Sequence, residues 1–105
     1  MFRINYAIWG FGNNRDNVEP ILTPLIVGGY LRFRVNNEVL GVVPSVPVGI
    51  TKDLILQFEF NGIRKTLLVQ CEVGGNHREV EITTATGQVD VSNSIYTHDP
   101  GFILN

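Results

Sequence analysis

The stretch Lys52-Asp-Leu-Ile-Leu-Gln-Phe-Glu-Phe60, Asn61-Gly62, Ile63-Arg-Lys-Thr-Leu-Leu-Val-Gln70 constrains this chain more than any other. It reads as two strands joined by a two-residue Asn-Gly loop, the strongest short-range hairpin signal in a sequence. Such a loop prefers a type I′ turn because both central residues need positive φ, and the turn then sets the register. Phe60 should face Ile63, Phe58 Lys65, Leu56 Leu67 and Leu54 Val69, which makes one face almost wholly apolar. The other face carries Glu59 opposite Arg64 and Gln57 opposite Thr66, with Ile55 and Leu68 as an apolar pair toward its far end. That second pair asks for a cover. Either the helix described below lies on it, or the face is an interface.

The rest of the chain has the same punctuation. Residues 2–9 alternate as a first strand, with Phe2, Ile4, Tyr6 and Ile8 on one side and Trp9 on the other. Gly10 to Asp16 then reads as a loop. Val18, Ile21, Leu22, Leu25 and Ile26 follow the i, i+3, i+4, i+7, i+8 pattern of a helix over about residues 17–27, with Asn17 as N-cap and Gly28-Gly29 as terminator. Pro20 fits its first turn, whereas Pro24 removes an interior hydrogen bond and shortens or kinks it. Residues 30–36 alternate strictly, Leu31, Phe33 and Val35 inward and Arg32, Arg34 and Asn36 outward. Asn36-Asn37 reads as a turn, residues 39–43 as a short strand, and Pro44 to Gly49 as a loop too rich in proline for a central strand. A Gly74-Gly75-Asn76 turn, a strand around residues 78–83 and a short one at Val89 and Val91 complete the ladder. Residues 92–105 have no regular pattern, but Ile95, Tyr96, Phe102, Ile103 and Leu104 are too apolar for a loose tail and should pack on this domain or a neighbouring subunit.

These elements describe one all-β or β-rich domain over residues 1–105: an antiparallel β-sandwich or small barrel of six or seven strands with one short helix. At 105 residues, 44% hydrophobic and 17% charged, the chain has enough apolar content for a single core. The low charge points to more hidden surface than a lone monomer usually has, so homo-oligomerisation is expected. A net charge of −2 offers no field for nucleic acid or an anionic membrane. No apolar run is long enough to span a bilayer and the N-terminus lacks a signal-peptide core, which makes the cytoplasm the default location, with leaderless release as an alternative. The single cysteine, Cys71, excludes an intrachain disulfide and falls on the apolar hairpin face as a small buried hydrophobe.

Catalytic and cofactor chemistry finds little support. Gly10-Phe-Gly12 follows a strand, but Arg15 stands where a dinucleotide fingerprint needs its third glycine and no βαβ unit follows. His77 and His98 have no close spacing to each other or to Asp90, Asp99 or Glu79, so no metal site is expected. Ser45, Ser92 and Ser94 lack an elbow motif. Arg3, Arg32 and Arg34 near Trp9 and Tyr30 have the residue types of a nucleic-acid stacking platform, but their scatter and the acid balance favour solvated strand faces. The reading is therefore a non-enzymatic chain with no cofactor.

Sugar recognition needs a flat aromatic face under the C–H surface of a ring, with amides or carboxylates for the hydroxyls. Trp9, Phe11, Asn13, Asn14 and Asp16 cluster in one loop and supply those types. The competing account is that Trp9 and Phe11 cap the end of the core. Even so, this loop is the best site candidate that the residues offer.

Taken in order, Tyr6-Ala-Ile-Trp-Gly10, Asp16-Asn-Val18, the Leu22/Leu25-Ile26 pattern, Gly29 to Asn36, Gly41, Pro47, Gly49, Lys52 to Phe58 and Asn61-Gly62 form a further pattern. Over about residues 4–82 it resembles the small C-terminal β-domain of a mitochondrial-type DnaJ-like protein and related stand-alone bacterial and fungal domains. Asp16-Asn17-Val18 stands where that pattern has Asp-Val-Thr, and Val73 interrupts its Glu-Gly after the hairpin. The resemblance implies a non-enzymatic interaction or assembly domain and transfers no site residue. The expectation is thus a module that binds a glycan or a protein surface, lectin-like or adaptor-like. The alternative is a structural subunit that self-associates through the apolar hairpin face and the C-terminus.

Overall fold

A computed structural model describes residues 1–47, 49–73, 76–92 and 103–104. The central hairpin forms as the Asn-Gly loop dictates: β5 (Asp53–Phe60) and β6 (Ile63–Gln70) pair antiparallel from Phe60↔Ile63 through Leu56↔Leu67 and Ile55↔Leu68 to Asp53↔Gln70. Asn61 and Gly62 both have positive φ, 49° and 80°, as the I′ turn requires. β1 (Phe2–Phe11) lies on the other side of β5 and is followed by β2 (Asn14–Asn17). With β11 (Ile103–Leu104) on β6, these make a five-stranded sheet in the order β11-β6-β5-β1-β2.

The second sheet runs β10-β9-β4-β3, built from β3 (Ile26–Val27), β4 (Tyr30–Arg34), β9 (Glu79–Thr83) and β10 (Gln88–Ser92). A separate two-stranded piece joins β7 (Glu72–Val73) to β8 (Asn76–His77). The two large sheets close on one core. Ala7, Trp9, Leu54, Leu56, Phe58, Leu67 and Val69 come from the first, and Leu31, Phe33, Val80, Ile82 and Val91 from the second. The chain is β-rich, and the layers form a small β-sandwich, as expected. The strands are more numerous than the six or seven expected, because pairs of residues such as 26–27 and 103–104 leave no periodic trace in the sequence.

Four local expectations are corrected. First, β1 does not keep one parity. Ile4 pairs with Phe58 and Tyr6 with Gln57, so Asn5 is an extra residue, a β-bulge. Phe2 and Ile4 pack on the core before it, Ala7 and Trp9 after it, and Tyr6 and Ile8 turn to the other face. Second, Gly10 to Asp16 is no loop, since β1 and β2 continue to Phe11↔Asn14 around Gly12-Asn13.

Third, the helix is much shorter than residues 17–27. α1 (Glu19–Leu22) starts with the Glu19 N–H donating to Asn17 Oδ1 at 3.1 Å, then tightens into a 3-10 turn at Thr23–Leu25. Pro24 lacks the N–H that an α-helix would need there, and the chain becomes strand before Gly28-Gly29. Val18 and Leu22 are buried, but the tightened turn leaves Ile21 and Leu25 exposed. Fourth, residues 39–43 are not a strand. Asn36, expected outward, is buried and accepts the Val39 N–H on Oδ1 at 2.9 Å, capping a one-turn α2 (Asn37–Leu40) that buries Leu40.

At the C-terminal end, Ile103–Leu104 is regular where no pattern was expected. The packing expected of Ile95, Tyr96 and Phe102 lies outside the described residues.

Candidate binding surface

The loop favoured in the sequence divides at Trp9. Its indole is 0% exposed, Nε1–H donates to the Gly41 carbonyl at 2.9 Å, and Lys52 Nζ lies 5.8 Å from the ring centroid. A ring enclosed in this way offers no face to a sugar, so Trp9 is corrected from ligand platform to core residue. Parity is the cause: after the bulge, Trp9 shares the inner face with Ala7. Phe11, Asn13, Asn14 and Asp16 are exposed on the β1–β2 hairpin, Phe11 by 49%. The structure keeps these four exposed on one hairpin, with Asp16 directly across the ladder from Trp9, but encloses the Trp9 ring itself.

The same bulge that sends Trp9 inward builds a surface on the opposite side of the five-stranded sheet. Cross-strand partners place four rows there, and each has its own chemistry. Arg3, Glu59 and Arg64 form the first, and Tyr6, Gln57 and Thr66 the second. Ile8, Ile55 and Leu68 form the third, with Asn17 beside Ile8. Arg15, Gly10, Asp53 and Gln70 form the fourth.

The third row is the apolar pair of the sequence enlarged by Ile8. All three are half-buried and point away from the core. The helix does not cover them, because Val18 and Leu22 insert into the core. Likewise the apolar face of the hairpin is no docking surface: Leu54, Leu56, Phe58, Leu67 and Val69 are buried within this chain. Self-association through that face is therefore corrected.

Polar groups border the row on both sides. Arg15 reaches across Gly10, which has no side chain to block it, and its Nη2 meets Asp53 Oδ1 at 2.6 Å while Nη1–H donates to the Asp53 carbonyl at 3.2 Å. On the other side, the Asn5 amide donates to Gln57 Oε1 at 3.2 Å and to Glu59 Oε1 at 3.4 Å, and Gln57 Nε2–H donates to Thr66 Oγ1 at 3.1 Å. Arg3 Nη2 is 3.4 Å from Glu59 Oε1. The Asn5 hydrogen bond, helped by Arg3 and Arg64, holds the Glu59 carboxyl below its ordinary pKa.

The outer face of the four-stranded sheet differs in kind. Arg32 pairs with Glu81 at 2.5 Å and Arg34 with Glu79 at 3.6 Å, and the Arg32 guanidinium stacks 4.3 Å from the Tyr30 ring centroid. Its arginines are met by carboxylates on the neighbouring strand, the solvated face that the sequence suggested. Among the described residues no group of three or more His, Cys, Asp or Glu side chains is placed to hold a metal. His77 sits in β8 and is exposed, and His98 lies outside the described residues.

Ile8, Tyr6 and Asn5 were missed as surface residues in the sequence. The available signal was a conflict of parity, since Phe2 and Ile4 are out of phase with Ala7 and Trp9 and only an extra residue between them reconciles the two. Arg78, 2% exposed between β8 and β9, also went unnoticed, because nothing in its neighbourhood marks a buried arginine.

The fold and surface define a small antiparallel β-sandwich with one polar and one part-apolar outer face. No protein family, curated protein sequence or solved structure matches the chain. No helix among the described residues is long and apolar enough to cross a membrane.

Proposed function

We propose that this chain is a non-enzymatic binding module whose recognition surface is the outer face of the five-stranded sheet, and that the partner is a protein surface. The observation that supports this reading is the Ile8–Ile55–Leu68 row on the side away from the core, bordered by the Arg15–Asp53 pair and the Asn5–Gln57–Thr66 network. An apolar centre with a hydrogen-bonded polar rim is the anatomy of a protein interface. The glycan alternative keeps Phe11, Asn13, Asn14 and Asp16 at the hairpin tip but loses the indole that was to carry the sugar. A protein partner therefore takes precedence.

Site-specific photocrosslinking tests this. The variant Tyr6→p-benzoylphenylalanine, with the reactive ring beside the apolar row, should crosslink to protein in the producing cell. Asp90→p-benzoylphenylalanine on the opposite sheet should not. Equal crosslinking from both positions, or none from Tyr6, sinks the proposal. A glycan array carries the alternative, with Phe11→Ala as the paired control, and selective binding abolished by that change would replace the protein reading.

A further inference from the structure

The rows of this face are matched pair by pair, and that property selects a partner. Across the β1–β5 boundary, Arg3 lies beside Glu59, Tyr6 beside Gln57, and Ile8 beside Ile55. Place a second copy face to face, with the two-fold axis parallel to the strands and midway between β1 and β5. Every β1 residue then meets the β5 partner that it already has within its own chain. Arg3 of each copy lies over Glu59 of the other, Ile8 over Ile55, and Tyr6 over Gln57. Cation meets anion twice, and apolar meets apolar through the centre. A two-fold contact is isologous and has to be self-complementary in this way.

Resting on the reading of this face as a protein-binding surface, we propose that its occupant is a second copy of the chain, packed as a twisted, aligned sheet-on-sheet dimer. The extent of the face is consistent with this. Four strands at about 4.8 Å spacing, over four rows, present about 500 Å² per copy. The pair would bury about 1,000 Å², the least area expected of a specific interface. The opposite sheet gives no such match: a two-fold between β4 and β9 would again place arginine on glutamate, but there is no apolar row to bury beneath them. The low charge content of the chain, 17%, fits a molecule that covers one of its faces.

The proposal makes an arrangement-specific prediction. The variants Arg3→Glu and Glu59→Arg are prepared separately and sedimented alone and mixed. Each alone should dimerise more weakly than the unmodified chain, because like charges then lie over one another twice, and the mixture should recover the dimer, because opposite charges meet at both places. Sedimentation of the unmodified chain should give a dimer at about 100 µM, and Ile55→Asp should reduce it to a monomer with an unchanged circular dichroism spectrum. A mixture no more dimeric than its two components, or an unmodified chain that is a monomer at every concentration, overturns the dimer. If the chain is monomeric while Tyr6→p-benzoylphenylalanine still crosslinks to a different protein, the surface reading stands and only the second copy is lost. If both experiments are silent, both readings fall.

Discussion

Gly10 has no room for a side chain: a Cβ at this position would come within 2.0 Å of the Asn14 carbonyl oxygen. The clash is with backbone, which yields only by opening the β1–β2 pair. Gly10→Ala should therefore cost about 2 kcal/mol, read as a lowered urea midpoint with unchanged slope. Gly12→Ala meets nothing within 4 Å and should cost about 1 kcal/mol from its positive φ alone. Equal effects at the two glycines would show that backbone angle, not space, governs position 10. Trp9 is constrained by chemistry as well as volume. Trp9→Phe removes the donor that satisfies the Gly41 carbonyl and leaves a small void, so a loss of about 2 kcal/mol is expected. In the unmodified chain, acrylamide should quench Trp9 fluorescence poorly, and no sugar should change it. Glu59 contributes a pH signature. Its folded pKa lies below the unfolded value, so its stabilising contribution is present above the ordinary carboxylate pKa near 4.5 and disappears as pH falls through the folded value. Asn5→Ala removes the largest cause of the depression. A carboxyl titration followed by NMR should show Glu59 moving up toward 4.5, and no movement would show that the arginines alone hold it.

At the scale of the element, β1 is decided by one residue. Asn5 has no partner on β5, so deleting it leaves Phe2, Arg3 and Ile4 opposite Phe60, Glu59 and Phe58, and Tyr6 onward opposite Gln57 onward. The Asn5 deletion should fold with the same core and register, losing only the hydrogen bonds to Gln57 and Glu59. Deleting Ala7 instead lets the bulge close by moving Tyr6 into the core place of Ala7, an overpacking that should cost at least about 3 kcal/mol. Amide exchange across β1 distinguishes the two, and equal damage from both deletions would mean that the bulge itself is required for the twist of the sheet. This element also shows what was legible in the sequence. The hairpin of β5 and β6 was legible down to each pair, because the turn chemistry of Asn61-Gly62 and a period of two agree over sixteen residues. β4 was legible from its period of two alone, with Leu31 and Phe33 inward and Val35 buried just beyond its end. β1 was only half legible, since a bulge inverts parity without any composition signal beyond the inversion itself. α1 was legible in its Asn17 start and in its shortening at Pro24, though not in how short it is, and α2 was missed because a side-chain cap, not periodicity, makes it. The candidate site suffered most. Its apolar row joins Ile8, Ile55 and Leu68, and only the pairing of β1 with β5, about fifty residues away, brings the first to the other two.

For the whole molecule, that long-range pairing predicts an order of folding. The hairpin of β5 and β6 closes a two-residue loop, whereas β1 must find β5 and β4 must find β9 across some fifty residues each. Closing a short loop loses little chain entropy, and the longer closures are worthwhile only once a surface exists to receive them. The hairpin, presenting Leu54, Leu56, Phe58, Leu67 and Val69 on one face, is that surface. The transition state should therefore contain β5 and β6 already paired, with β1 and the four-stranded sheet incompletely docked. Leu67→Ala removes a fully buried side chain within the hairpin and should cost about 3 kcal/mol. With more than half of that loss felt in the transition state, refolding slows by at least about tenfold. Trp9→Phe acts on the late-docking β1 and should mainly accelerate unfolding, with its refolding limb changed less than about threefold. Both changes exceed the roughly 0.6 kcal/mol below which such ratios lose meaning. Stopped-flow refolding in urea reads the two limbs directly. If Trp9→Phe slows refolding in proportion to its loss of stability while Leu67→Ala leaves it unchanged, then β1 docks first. The Asn-Gly hairpin would then be a product of the fold and not its nucleus.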